Sequence, residues 1–188
     1  MIFNLFKSKP TLKELIPNGF VDIHSHILPG IDDGAKNVEE SMELVSEMKK
    51  LGFSKIIATP HIYSGLYENN KNNIFKIYRD IIKKIDNSIN IDYAAEYLLD
   101  NSVLEKTGSE EILTINKKFI LVEFNFISPP INLHEIIFKL KLKNFTPIIA
   151  HPERYLYFKQ NFNEIVKLKM AGCKFQLNLL SVIGYYGK

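Results

Sequence analysis

Apolar residues at Val38, Met42, Val45, Met48 and Leu51 recur three or four positions apart, the spacing that places side chains on one face of an α-helix. Asn37 with Glu40 three residues on reads as an N-terminal capping box, and Gly52 stands where a helix stops. A second amphipathic pattern runs through Ile74, Ile77, Tyr78, Ile81, Ile82 and Ile85. Further helical patterns fall near Leu98 to Glu105, Leu133 to Lys143 and Phe162 to Ala171. Between them lie short apolar runs at Phe20 to Ile23, Lys55 to Thr59, Ile91 to Ala95, Phe119 to Phe124, Pro147 to Ala150 and Lys174 to Leu179. Each is bounded by turn formers and reads as a strand.

Strands that alternate with helices of this length predict a parallel α/β fold. Runs such as Ile120-Leu-Val122 and Ile148-Ile-Ala150 are apolar without alternation, as in strands covered on both faces. An open doubly wound sheet and a barrel both fit the alternation. The polar residues separate them, because the strands end in groups that can bind a ligand: His24 and His26, His61, Glu96, Glu123 and His151. In a (β/α) barrel all strand C-termini meet on one face. The six strands expected here fall one or two short of closing such a barrel.

The chain has 188 residues, 46% hydrophobic and 24% charged, which is globular composition and room for one domain. We expect that domain over residues 20–188, behind an N-terminal lead at 1–19. The net charge of +3 comes from basic residues spread along the chain, so charge implies no nucleic-acid partner. One cysteine, Cys173, permits neither an internal disulfide nor a thiolate zinc cluster, and fits a reducing compartment. The apolar stretch Met1 to Phe6 is too short for a signal segment, and no run approaches a membrane span. A cytoplasmic protein is expected.

Asp22-Ile-His-Ser-His26 puts two imidazoles two residues apart at a strand end, where both can turn to one side as the strand gives way to loop. Alone, such a pair is equally compatible with spectator histidines. Its company decides: Gly30-Ile-Asp-Asp-Gly34 brings carboxylates just behind it, and Thr59-Pro-His61 projects a third imidazole from a proline-fixed loop. Glu96 and Glu123 each end an apolar run. A buried carboxylate must be neutralised, paired or bound to a cation, and the chain offers only two arginines, Arg79 and Arg154. Arg154, three residues beyond His151, has the planar fork suited to phosphate. His134 lies at a helix start away from any strand end and is left outside the site.

Imidazoles and carboxylates without thiolates suit borderline or hard divalent ions, and four histidines with three acids exceed the needs of one. A site with several ions and an arginine points to phosphoester hydrolysis, in which activated hydroxide attacks phosphorus while positive charge balances the phosphoryl oxygens. A thiolate phosphatase is excluded, because no arginine follows Cys173 to cradle a phosphate.

Taken in order, Asp22-Ile-His-Ser-His26, Ile31-Asp-Asp-Gly34, Thr59-Pro-His61, Ala95-Glu96, Val122-Glu-Phe124 and Ala150-His-Pro-Glu-Arg154 resemble the polymerase and histidinol phosphatase (PHP) superfamily. The closest likeness within it is to the bacterial capsule and exopolysaccharide tyrosine phosphatases, from about Phe20 to the last residue. The resemblance implies a distorted (β/α)7 barrel akin to a TIM barrel, with two to three divalent ions, most often manganese and alternatively zinc, iron or magnesium. It implies as substrate the phosphotyrosine of a bacterial tyrosine autokinase. His24 and His26 would hold a first ion, Glu96 would bridge it to a second completed by Glu123 and His151, and Asp33 and His61 would hold a third. Arg154 would bind the phosphate and counts with Asp33 as catalytic. Tyr63 and Tyr155 are expected to line the substrate pocket, with Tyr67 and Tyr157 nearby.

The family's later Asp-x-His pair has no counterpart after Leu179, where the sequence reads Leu-Ser-Val-Ile-Gly-Tyr-Tyr-Gly-Lys188. The barrel is therefore expected to be incomplete at that end, with one donor fewer for the first and third ions. An open sheet edge tends to find a partner chain, so a homo-oligomer or a poorly stable monomer is expected. Three other readings stay open: a small-molecule phosphatase of the histidinol phosphate kind, an inactive metal-binding module, and a truncated product of a longer gene whose activity resides in the intact form.

Overall fold

In the computed structural model, which describes residues 11–85, 88–108 and 112–185, the clearest helix is the one that the sequence marks most fully. Helix α2 (Val38–Leu51) starts where the Asn37 side chain accepts the Glu40 N–H, and stops at Gly52 with φ 105°. It follows a single turn, α1 (Leu12–Leu15), and strand β1 (Phe20–Ser25). The chain then runs through β2 (Phe53–Ala58), β3 (His61–Ile62), α3 (Lys71–Ile82), β4 (Asn90–Tyr93), β5 (Glu96–Leu98), α4 (Asn101–Lys106), β6 (Phe119–Glu123), α5 (Leu133–Leu142) and β7 (Thr146–Ala150). A 3-10 turn (Pro152–Arg154), α6 (Leu156–Gln160), α7 (Phe162–Met170), β8 (Lys174–Gln176) and α8 (Leu179–Val182) complete it. Residues 1–10 of the expected N-terminal lead lie outside the described residues.

All strand pairs are parallel, in a three-stranded sheet ordered β1-β2-β4 and a five-stranded sheet ordered β3-β5-β6-β7-β8. The sheets are joined through bends. Pro60 has no N–H to give a ladder, so β2 breaks there and resumes as β3. Backbone bonds from Ala94 N to Ala58 O and from Glu96 N to Pro60 O carry the pairing across. Two bent strands, β2/β3 and β4/β5, therefore join β1, β6, β7 and β8 to make the six expected strand positions.

Burial follows the two-residue period of a strand. Ile56, Ala58, Ile120, Val122 and Ile149 pack outward under the helices, in a cluster with Ile74, Ile136, Leu140 and Leu168. Ile57, Ala94, Leu121, Ile148 and Ala150 face the other way and form their own cluster, which Ile23 of β1 also joins. Strands β1, β2, β6 and β7 and the β4/β5 bend thus contribute to one inner layer, and this explains the unbroken apolar runs of β6 and β7.

The expected α/β architecture with parallel strands is present, and a closed barrel is not. Among the described residues β1 pairs only with β2 and β8 only with β7, so the sheets are open at both. Two boundaries also differ from expectation. The helix expected from Leu98 begins at Asn101, because Leu98 ends β5 and Asp100 caps the helix through Ser102 N. The strand expected to reach Leu179 stops at Gln176, since Asn178 caps α8 by accepting the Leu180 N–H.

Candidate metal centre

The strand order brings the expected ligands to one place. His24 lies in β1 and His26 one residue beyond it. His61 opens β3, Glu96 opens β5, Glu123 closes β6, and His151 follows β7. Glu96 is the hub, with no exposed surface. Its Oε2 lies 2.9 Å from His24 Nε2, 3.3 Å from His26 Nε2 and 3.3 Å from His61 Nδ1, while Oε1 lies 3.3 Å from His151 Nε2. His61 Nδ1 is also 3.0 Å from Glu123 Oε1. Asp33 Oδ1 stands 3.5 Å from His61 Nε2 at the open side.

Two local features of the backbone aim these groups. A Cβ on Gly34 would lie 2.0 Å from the His26 carbonyl oxygen, so only glycine lets the 30–35 loop fold back on His26. Ala35 N then donates to His26 O at 3.0 Å. His151 takes the left-handed conformation, φ 33°, a strained state for a residue with a side chain. The turn directs its imbedded ring toward Glu96.

Electrostatics at the hub favour positive charge. Burial would raise the Glu96 carboxyl, but the imidazoles of His24, His151 and His26 outweigh it and hold the group well below the usual carboxylate range. For His26 burial opposes protonation, yet the bonds to Asp32 and Glu96 push its pKa up to about 10. His61 is likewise raised against burial by Glu123 and Glu96. Within the cluster, His61 Nδ1, Glu96 Oε1 and His151 Nδ1 are buried and make no hydrogen bond of regular geometry, the first two standing in charge contact with Glu123 and His151. Unpaired buried polar atoms are costly. Imidazole and carboxylate donors within 4.8 Å of one another fall into three groups: His24, His26 and Glu96; His26, Asp33 and His61; His61, Glu96 and Glu123. Such a donor set fits divalent metal.

Sequence reasoning missed a residue that matters here. Of the adjacent pair, Asp33 was the expected ligand, and its side chain is 64% exposed; the Asp32 side chain is wholly buried. Asp32 Oδ2 takes a hydrogen bond from His26 Nδ1 at 2.8 Å and another from the His61 backbone N–H at 3.1 Å. Its Oδ1 accepts the Gly34 N–H. That bond to the residue two ahead is an Asx turn, the signal in Asp-x-Gly that singles out Asp32.

The ligands line a cavity of about 730 Å³ together with Arg154, Phe126 and Gln176. The Arg154 guanidinium lies 5.1 Å from the centre of the Phe126 ring, which itself stacks on His151 at 5.9 Å and 12°. The tyrosines expected to line the pocket do not. Tyr155 is fully buried, with its hydroxyl accepting the Phe124 N–H at 2.8 Å, and Tyr63 forms a backbone bridge with Tyr67 outside the cavity lining. Tyr67 stacks on His61 at 5.2 Å, and the Tyr157 hydroxyl donates to Asn125 O. Phe126, 48% exposed, is the aromatic ring that lines the cavity beside Arg154, with Phe20 and Phe53 also in its lining. His134 pairs with Glu164 away from the site. Cys173 is buried, and burial pushes its thiol up to about 11, the reverse of an activated nucleophile.

Comparison with known proteins agrees with the site. The family described as capsular polysaccharide synthesis, CpsB/CapC, matches residues 20–188. The tyrosine-protein phosphatase YwqE of Bacillus subtilis is 31% identical over 172 residues, which cover 89% of this chain and 68% of the relative. The tyrosine-protein phosphatase CpsB of Streptococcus pneumoniae is 34% identical over 162 residues, covering 84% and 67%. A crystal structure from work on these two, which describes them as unique metal-dependent tyrosine phosphatases, superimposes with a TM-score of 0.81 at 31% identity. It covers 90% of this chain and 70% of its own. The chain belongs to the CpsB/CapC family and spans about two thirds of the length of these relatives.

Proposed function

We propose that this member of the CpsB/CapC family is a metal-dependent phosphatase that hydrolyses phosphotyrosine in proteins. One observation carries the reading: four imidazoles surround the buried Glu96 within 3.3 Å, beside a cavity that Arg154 and Phe126 also line. The relatives named above as tyrosine-protein phosphatases support the substrate class. A tyrosine autokinase of capsule or exopolysaccharide biosynthesis is the natural protein substrate on the same grounds.

His24, His26, Glu96, Glu123 and His151 would hold two ions, and Asp33 with His61 a third. Manganese is the expected metal, with zinc, iron and magnesium as alternatives. When bound, such ions balance charge on the phosphoryl oxygens and lower the pKa of the attacking water. The chain's own residues do the rest. Arg154 offers two parallel N–H groups to the non-bridging oxygens, and Phe126 holds that guanidinium over its ring while giving the tyrosyl ring an apolar wall. Asp32 orients His26, and Asp33 keeps an exposed carboxylate on the cavity lining near His61.

Residues 20–188 would form one α/β unit, with six strand positions belonging to a distorted (β/α)7 barrel. The unpaired edges of β1 and β8 support self-association. A single buried cysteine supports a cytoplasmic setting, and no described helix is long and apolar enough to cross a membrane.

Manganese-loaded protein should hydrolyse a phosphotyrosine peptide with a higher kcat/KM than histidinol phosphate. The reverse order would favour the small-molecule alternative and overturn this assignment.

A further inference from the structure

We propose that Gln176 is a positioning residue that fixes which nitrogen of His24 faces the metal site. The inference rests on the reading of His24 as a metal ligand, but its geometry stands independently. Gln176 ends β8, at one unpaired edge of the sheets, and His24 lies in β1 at the other. Its Oε1 is 2.8 Å from His24 Nδ1 and 3.3 Å from the backbone N of His151, and its Nε2 donates to Leu177 O at 2.8 Å.

Two of these contacts set the orientation of the amide without reference to histidine. A backbone N–H only donates, so the atom facing His151 N is oxygen; a carbonyl only accepts, so the atom facing Leu177 O is nitrogen. Oxygen therefore faces His24, and His24 Nδ1 must carry a proton to bond it. The other nitrogen, Nε2, is left for the site, where it stands 2.9 Å from Glu96 Oε2 and 3.2 Å from His26 Nε2. A ring nitrogen so close to a carboxylate oxygen needs a shared positive charge, proton or metal ion, between them.

Asp32 does for His26 what Gln176 does for His24, with a carboxylate in place of an amide. Such outer partners fix ring orientation and raise ligand basicity. Gln176 has a further effect, since one oxygen ties His24 of β1 to the backbone of His151 after β7. Two ligands from separate sheets are held in register by a residue that touches no metal.

The test is ¹⁵N NMR of the histidine rings in the full chain, with and without zinc as a diamagnetic probe, together with zinc affinity by chelator competition. In the wild type, His24 Nδ1 should be protonated in both states. Gln176→Leu, which removes the acceptor, should weaken zinc by roughly 10- to 100-fold, and Gln176→Glu, which restores an acceptor oxygen, should recover most of the loss. A His24 ring with its proton on Nε2 alone, or a Leu variant with unchanged zinc affinity, would overturn the proposal. If Gln176→Leu does not fold, the wild-type spectra decide. A wild type that binds no zinc contradicts the metal reading, and its zinc-free spectrum still decides the role of Gln176.

Discussion

Glu96 is a single carboxylate facing four imidazoles from a fully buried position, so its charge is the quantity that organises the site. Glu96→Gln keeps the shape and removes that charge. Bound metal and phosphatase activity should be lost together, with metal counted per chain on the assayed sample. Arg154→Ala should leave the metal count unchanged and lower kcat/KM by about 10- to 100-fold, the effect of a charge-assisted bond to phosphate. Loss of metal in that variant would show that the role given to Arg154 is wrong.

The same groups set the pH response of the metal-free protein. His26 titrates near 10 when folded against 6.5 as its ordinary value, so its contribution is complete below about pH 6.5 and is lost as pH rises toward 10. Glu96 and Asp32 are lowered from 4.5 and 3.8. Their contribution is present above those values and is lost as pH falls below them. Asp22 opposes them on the acid side, because burial raises its carboxyl to about 6 and its cost grows as pH rises through that range. The alkaline limb, where denaturant midpoints of metal-free protein should fall as pH rises from about 6.5 toward 10, is the part that reports His26. Asp32→Asn should bring the alkaline decline to lower pH. An alkaline limb that Asp32→Asn leaves in place would contradict this assignment. The strand-end ligands were legible because they interrupt apolar runs with groups that cannot be buried alone. That Asp32 turns inward beside the ligand candidate Asp33, and that Phe126 rather than Tyr155 lines the cavity, depends on the direction of side chains, which sequence position alone does not disclose.

At the level of elements, several of the ligands depend on a break in regular structure. Pro60 ends β2 so that His61 can restart as β3, and the turn at Gly34 folds a loop onto the end of β1. Gly34→Ala tests that dependence most sharply, because its Cβ would overlap the His26 carbonyl and side chain. It should destabilise the protein by roughly 3 kcal/mol, at the upper end for overpacking, and should weaken metal binding in whatever protein remains folded. Unchanged thermal stability would show that the 30–35 loop does not need this close approach. Helix α2 was legible in its bounds, since Asn37 and Gly52 cap it from within the local sequence, though Met42 of the expected apolar face is exposed, Ser41 is buried and Glu40 bonds the Lys36 N–H instead of closing the capping box. The split of β4 from β5 was not, because Ala94 and Ala95 carry no local break signal and the interruption appears only in pairing with β2 and β3.

Over the whole molecule, parallel order makes the chemistry possible. Strands that all run the same way bring the ends of β1, β6 and β7 and the bends of β2/β3 and β4/β5 to one place, so His24, His61, Glu96, Glu123 and His151, far apart in sequence, share a site. Alternation of strands and helices was enough to read that order from sequence. Closure was not readable in the same way, because it depends on whether β1 meets β8, and such pairing leaves no periodic trace within either strand. The most direct measurement of the central claim is hydrolysis of a phosphotyrosine peptide by metal-stripped protein titrated with manganese, counting bound ions on the same sample. The account predicts no turnover without metal and activity that rises as two or more ions bind per chain. Turnover that survives chelation, or manganese bound at that level with no hydrolysis, would contradict it.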